Sequence, residues 1–333
     1  NDVSVDTAMA DESVLVLCTW NLGAKKASAT LPDAGCFRWL ADLCSRAQPS
    51  LVVLGLQEVH PERLPELTSQ VLEVLRASDA DSQFEVLASA HCDSCLPLLA
   101  FERRPQAHCE VVFLPFSVDE KKVCTKGCVG LECVRHGLKL GIANAHLEAR
   151  HGNAEARDAS FAMLGERFEH SPNSLLIVAG DLNYRMEGQP GQVMQEPSKA
   201  TPPDQRCPEF LREFQFLTAA LAEGRGPELF EERCQLRRRL RDGAPGFNGF
   251  EEAEVIFAPT YRRAPAKASA AEEEGIHFDL EEPRIPGWCD RILWRSGANV
   301  EVAVSEYYCV ESATFSDHRP VNLVMRARLK AAA

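Results

Sequence analysis

Between residues 84 and 145 the chain runs through five short apolar segments with no helical stretch among them: 84–87, 96–101, 109–114, 129–134 and 138–145. Successive strands without intervening helices do not fit a purely parallel, doubly wound sheet. The rest of the chain mixes the two element types. Residues 14–19, 51–56 and 175–179 read as buried strands. Cys36, Phe37, Leu40, Leu43, Cys44 and Ala47 recur at helical spacing, and helices are also expected over 64–75, 153–168 and 208–221. The last strands are expected at 254–257, 291–294, 300–308 and 321–329. Two packed mixed sheets with helices outside accommodate this order. Residues 187–206, rich in Pro and Gly, read as a long surface loop, and 264–274 as a flexible acidic one.

A chain of 333 residues would by length alone hold about two domains. It is long enough to bury roughly 75% of its unfolded surface, so its core needs no disulfides. The thirteen cysteines are odd in number and scattered, which favours buried thiols in a reducing compartment. Cys92-x-x-Cys95, with His91, His108 and Cys109 nearby, is a single knuckle without a second at finger spacing, and reads as thiols rather than a zinc site. Residues 1–7 lack a basic stretch followed by an apolar run, so no signal peptide is expected. The net charge of −13, evenly spread, would repel nucleic acid and anionic membranes. Arg237-Arg238-Arg239 with Arg241 forms a basic cluster, read as a solvated helix face.

Polar residues gather where strands end, at five separated places: Trp20-Asn21, Gln57-Glu58, Asn144-Ala145-His146, Asp181-Leu182-Asn183 and Ser316-Asp317-His318. Singly, each is most simply a solvated or capping residue. Together their chemistries are complementary. Glu58 and Asn21 offer hard oxygen ligands of the kind that hold Mg²⁺. Asp181 suits orienting or deprotonating a water, and His146 and His318 suit steadying a phosphate. The set lacks a thiol or Ser–His nucleophile, which points to metal-assisted attack of water on phosphorus.

The segment Arg284-Ile285-Pro286-Gly287-Trp288-Cys289-Asp290-Arg291-Ile292-Leu293 resembles the second signature of the inositol polyphosphate 5-phosphatases, Arg-x-Pro-Ser/Ala-Trp-Cys-Asp-Arg-Ile-Leu. Gly180-Asp181-Leu182-Asn183-Tyr184-Arg185 resembles the first. Gly249-Phe250-Glu251-Glu252 with Phe257-Ala258-Pro259-Thr260-Tyr261-Arg262, Lys126-Gly127, Asn144-Ala145-His146-Leu147 and Ser316-Asp317-His318-Arg319-Pro320-Val321 also match in order. The resemblance runs from about residue 14 to 329. It implies the DNase-I-like fold of the endonuclease/exonuclease/phosphatase superfamily, an α/β four-layer α/β/β/α sandwich. Residues 11–330 then form one catalytic domain, and residues 1–10 an N-terminal extension.

By this similarity, Glu58 ligates Mg²⁺, with Asn21 and Asp317 close to the ion. Asp181 positions the attacking water and Asn183 holds it. His318, backed by Asp290, contacts the phosphate, and His146 donates to it. Tyr261, Arg262 and Arg284 resemble residues that grip a neighbouring 4-phosphate; Tyr184 is a further candidate for contact with substrate, and Lys126 and Arg157 are candidates for substrate contact or structural pairing. The implied reaction is Mg²⁺-dependent removal of the 5-phosphate from phosphatidylinositol 4,5-bisphosphate, phosphatidylinositol 3,4,5-trisphosphate or soluble inositol polyphosphates. The implied setting is cytoplasmic, with peripheral membrane contact, no nucleic acid and a monomeric chain. Glu282 departs from the pattern, standing where a Lys is usual, which implies weaker dependence on the 4-phosphate unless Lys267 replaces the charge. Thr125, Val178 and Glu148-Ala149-Arg150 are further departures. A same-fold nuclease or sphingomyelinase, or a catalytically inactive phosphoinositide-binding module, are the competing readings; the acidic charge argues against the nuclease.

Overall fold

The structure is a computed structural model that describes residues 12–78, 83–92, 95–103, 109–115, 126–168, 170–188, 196–197, 201–264 and 276–331. Two mixed sheets form its centre. The first holds six strands in the order β10 (Val300–Cys309), β11 (Val321–Leu329), β1 (Ser13–Ala24), β2 (Leu51–Val59), β4 (Leu96–Arg103) and β3 (Phe84–Cys92). The second holds five, in the order β5 (Cys109–Pro115), β6 (Gly127–Arg135), β7 (Leu138–His146), β8 (Ser174–Asp181) and β9 (Asp290–Ser296). Only β1–β2 and β7–β8 pair in parallel among the named strand pairs. Each of these two pairs is joined through a single α-helix: α1 (Arg38–Ala47) links β1 to β2, and α3 (Ala154–Arg167) links β7 to β8. The expected mixed architecture is what the strands form.

Period-two alternation builds the layers. In β1, Leu15 and Leu17 join the core that includes both sheets, whereas Val16, Cys18 and Trp20 join the core under α1 and α2 (Leu64–Ala77). In β2, Leu51 and Val53 turn one way and Val52, Leu54 and Leu56 the other. Strands buried on both faces are apolar without a break. Phe161 and Leu164 of α3, with Phe210 and Leu217 of α4 (Pro208–Ala222), cover the second sheet.

One polar device pins the sheets together. Asn144 on β7 donates to the carbonyls of Leu56 (2.8 Å) and Pro97 (2.7 Å) on the other sheet, and accepts from Gln57 Nε2 at 2.7 Å. A Cβ at Gly55 would lie 2.7 Å from the Asn144 amide, so glycine is what lets the sheets approach there. Asn144 and Gln57 therefore serve the fold rather than the chemistry.

Some sequence-based boundaries differ. β1 runs on past residue 19 to Ala24, because Trp20, Leu22 and Ala24 continue the buried stripe while Asn21 faces the opposite way. Residues 254–257 are not a strand. Ile256 is 74% exposed, and only Glu251 bridges to Trp294. Two further helices, α5 (Gly226–Arg233) and α6 (Gln235–Asp242), follow α4. On α6 the basic cluster is paired: Arg237 with Glu231, Arg238 with Glu187, Arg239 with Asp158 and Arg241 with Asp242. Eight of the ten cysteines found free among the described residues are buried. Cys95 is one of them, whereas His108 and the side chains of Cys92 and Cys109 lie outside the described residues, as do residues 1–10 and Lys267. No helix among the described residues is long and apolar enough to cross a membrane.

Candidate active site

The site forms where both sheets present strand ends on one side. β8 ends at Asp181, and β9 begins opposite it at Asp290. His146 ends β7 in register with Asp181, and Asn21 reaches across from β1. His318 arrives on the turn before β11. That turn is fixed by Trp20 Nε1 donating to the His318 carbonyl (3.2 Å) and by Ser316 Oγ donating to the Asn21 carbonyl (2.6 Å).

Asp181 is the focus. Its Oδ2 accepts from Asn21 Nδ2 at 2.9 Å and lies 3.3 Å from His146 Nε2 and 3.8 Å from His318 Nε2. Its Oδ1 accepts the backbone N–H of Asn183 at 3.1 Å, a turn made possible by the left-handed φ of 56° at Asn183. Burial would raise the Asp181 pKa, but His318, His146 and Lys126 override it and hold the carboxyl well below the usual range. Behind His318, Asp290 Oδ2 lies 2.8 Å from Nδ1 and also accepts from Thr260 Oγ1 at 2.6 Å. Burial opposes a charged imidazole here. Asp290 and then Asp181 prevail and raise His318 to about 9, so it is an imidazolium at neutral pH.

His146 differs. Burial, then the Lys126 ammonium 2.5 Å from its Nε2, lower its pKa. Burial likewise lowers Lys126 to about 8. Glu58 sits at the rim with φ 60°. Its Oε1 holds Lys25 Nζ at 2.7 Å and lies 3.9 Å from His146 Nε2. Burial works against its ionised form, but His146 and Lys25 keep its pKa low.

The expected metal set was Glu58, Asn21 and Asp317. The one group of three or more His, Cys, Asp or Glu ligand atoms within 4.8 Å of one another among the described residues is instead Asp181, Asp290 and His318. Hydrogen bonding accounts for that cluster, with an imidazolium between two carboxylates. Glu58 still suits a hard ion, because its partner is an ammonium on the half-exposed side chain of Lys25, which an incoming cation can displace.

Two of the candidates for substrate contact, Arg157 and Tyr184, are structural. Arg157 is fully buried and donates to the carbonyls of Glu148 (3.0 Å) and Arg150 (2.7 Å) and to Gln235 Oε1 (2.8 Å). Tyr184 is buried, with its hydroxyl donated to Asp158 at 2.7 Å. Arg291, another cation that could have faced a ligand, is fully buried and paired with Glu252. Lys126 does reach the site, as do Tyr261 and Arg262. The Tyr261 ring lies 4.5 Å from the His318 ring, and Arg262 Nε lies 3.6 Å from Asp317 Oδ2. Arg284 donates to the Pro283 carbonyl at 3.1 Å.

Sequence reasoning missed Lys25, Thr260 and Arg185. Arg185 donates to Asn183 Oδ1 at 2.9 Å and stacks 4.2 Å from the Tyr261 ring centre. Thr260 and Arg185 stand inside the quoted motifs, so their neighbours could have flagged them. Nothing in the sequence marks Lys25.

The family model for the Endonuclease/Exonuclease/phosphatase family 2 matches residues 18–324. The chain belongs to this family. Phosphatidylinositol 3,4,5-trisphosphate 5-phosphatase 2B of Danio rerio is 27% identical over 212 residues, 59% of this chain and 15% of that protein. The match therefore spans only a small part of the curated relative. Among solved structures, the inositol polyphosphate 5-phosphatase domain of SPsynaptojanin, in complex with inositol (1,4)-bisphosphate and calcium ion, aligns with a TM-score of 0.70 at 20% identity, over 96% of this chain and 85% of that one. A Cimex nitrophorin, as its ferrous NO complex, aligns at 0.68 and 16% identity, over 96% and 99%. Both likenesses establish the DNase-I-like fold alone. A nitrophorin on that fold makes the point that the site's side chains, not the fold, must carry the functional argument.

Proposed function

We propose that this chain is a divalent-metal-dependent phosphomonoesterase that removes the 5-phosphate from phosphoinositides or soluble inositol polyphosphates by direct attack of water. One observation carries the reading: an ionised Asp181 lies within 4 Å of two histidines, one of them made an imidazolium by Asp290. That is the charge pattern of an in-line displacement at phosphorus. A carboxylate held so far below its usual range is a weak base, so Asp181 first aligns the water and takes up its proton only late, once the new O–P bond has made that proton acidic. The Asn183 amide nitrogen, which also donates to the Leu147 carbonyl at 3.1 Å, has a second hydrogen to offer the water or a phosphate oxygen. His318 holds the phosphoryl oxygens, and the Lys126–His146 pair adds positive charge on the other side of Asp181.

Glu58, Asn21 and Asp317 would hold Mg²⁺, which when bound supplies positive charge to the departing inositol oxygen. The P–O bond to the ring breaks with its electron pair staying on the ring oxygen, a solvent proton completes the inositol hydroxyl, and inorganic phosphate leaves. Buried free thiols among the described residues support a reducing, cytosolic setting, with the substrate met in solution or at the membrane's cytosolic face. Catalysis separates this enzyme from an inactive lipid-binding module. The test is phosphate release from a panel of inositol phosphates and phosphoinositides, with and without Mg²⁺. Asp181→Ala is expected to keep its melting temperature within a few degrees and lose release by at least about a thousandfold. Undiminished release from that variant refutes the mechanism.

A further inference from the structure

We propose that the wall beside His318 selects a substrate with a hydroxyl, not a second phosphate, adjacent to the phosphate that is removed; this rests on the hydrolase reading above. The wall starts at Tyr261, packed on the His318 ring, and continues into Arg262. Arg262 would be the natural receiver of a second phosphate. Its guanidinium is already enclosed. Nε lies 2.9 Å from Asp279 Oδ2 and 3.6 Å from Asp317 Oδ2, and Nη1 lies 3.0 Å from Glu282 Oε2.

These carboxylates are held in place. Asp279 Oδ1 accepts the backbone N–H groups of Glu281 and Glu282 at 2.9 Å each, and the Asp317 carbonyl accepts from Arg263 N at 2.8 Å. A single guanidinium thus faces three carboxylates, two of which, Asp279 and Glu282, lie outside the metal set proposed above. A phosphate dianion placed there must break an arginine–carboxylate contact and then sit against the remaining acids. A hydroxyl needs no such exchange, because it can donate to a carboxylate oxygen. The discrimination comes from the wall alone, since the Asp181–His318 centre that acts on the scissile phosphate is separate from Asp279 and Glu282.

The test uses two inositol phosphates that share the 5-phosphate and differ only in a hydroxyl or a phosphate at the adjacent 4-position. For the unaltered protein, kcat/KM for the hydroxyl compound is expected to equal or exceed that for its phosphorylated partner. Glu282→Lys is expected to shift the ratio toward the phosphate by about tenfold or more, and Glu282→Gln by less. Glu282 is a third exposed and Asp279 still holds Arg262, so both variants are expected to fold, which circular dichroism and thermal melting check. A preference of the unaltered protein for the 4-phosphate above about tenfold, or an unchanged ratio in folded Glu282→Lys, overturns the proposal. Release from neither compound overturns the hydrolase reading instead. The wall is then judged by calorimetric binding of the same pair, where tighter binding of the phosphorylated compound overturns it.

Discussion

Asp290→Asn separates the charge of the Asp290–His318 pair from its shape. The amide oxygen can still accept the Nδ1 hydrogen across 2.8 Å, so the ring stays in place. What is lost is the foremost of the influences that raise His318 from 6.5 to about 9. Burial then faces chiefly Asp181, and the imidazole falls back toward its ordinary range. At pH 7.5 a group of pKa 9 is about 97% protonated, and one of pKa 6.5 about 10%. Phosphate release at pH 7.5 should therefore drop about tenfold in kcat/KM, while at pH 5.5 variant and parent should agree within about threefold. The alkaline limb of the pH profile should move from near 9 to near 6.5. Stability gives an independent readout. A histidine raised on folding stabilises fully below its unfolded pKa, and that contribution disappears as pH rises through the folded one. The parent's melting temperature should thus fall between pH 6.5 and 9.5 more steeply than the variant's. An alkaline limb still near 9 in Asp290→Asn, or an equal loss at pH 5.5 and 7.5, refutes the assignment of His318 as the working cation.

Two further substitutions probe the frame around the site. A Cβ at Gly180 would stand 1.9 Å from the Ala145 carbonyl oxygen between β8 and β7, so Gly180→Ala should cost about 3 kcal/mol or more in urea unfolding; a loss under about 1 kcal/mol contradicts that packing. Glu252 pairs with fully buried Arg291 and accepts from the Tyr307 hydroxyl at 2.8 Å. Glu252→Gln strands the guanidinium and should destabilise by roughly 3–5 kcal/mol, lowering the melting temperature by roughly 10 °C.

The apolar runs made the strands legible because burial on both faces leaves few polar interruptions. The boundaries failed where function intrudes. Asn21 breaks the apolar pattern of β1 because it must reach Asp181, so the strand seemed to stop two residues before its chemistry began. Motif membership located Asp181, Asn183, Asp290 and His318, but it could not tell a side chain facing the site from one facing the core. Arg157, Tyr184 and Arg291 have the right chemistry for a phosphate, and burial spends all three elsewhere. Cations are the hardest residues to assign from sequence, since a guanidinium is equally suited to carbonyls, carboxylates and phosphates, and only the fold decides which it meets.

The same reasoning reinterprets the net charge of −13. An average says nothing about a pocket only a few ångströms across, because exposed charges more than about 10 Å apart are largely screened from one another. Around Asp181 and Glu58 the excess of acid is gone: Lys25, Lys126 and an imidazolium stand against Asp181, Glu58 and Asp290. On α6 the arginines that would draw an extended polyanion are each occupied by an acid. A long polyanion laid across α6 would meet arginines that already hold acids. One phosphate would need only the few groups that converge on Asp181, so a net acidic charge does not argue against a phosphorylated ring of the kind proposed above.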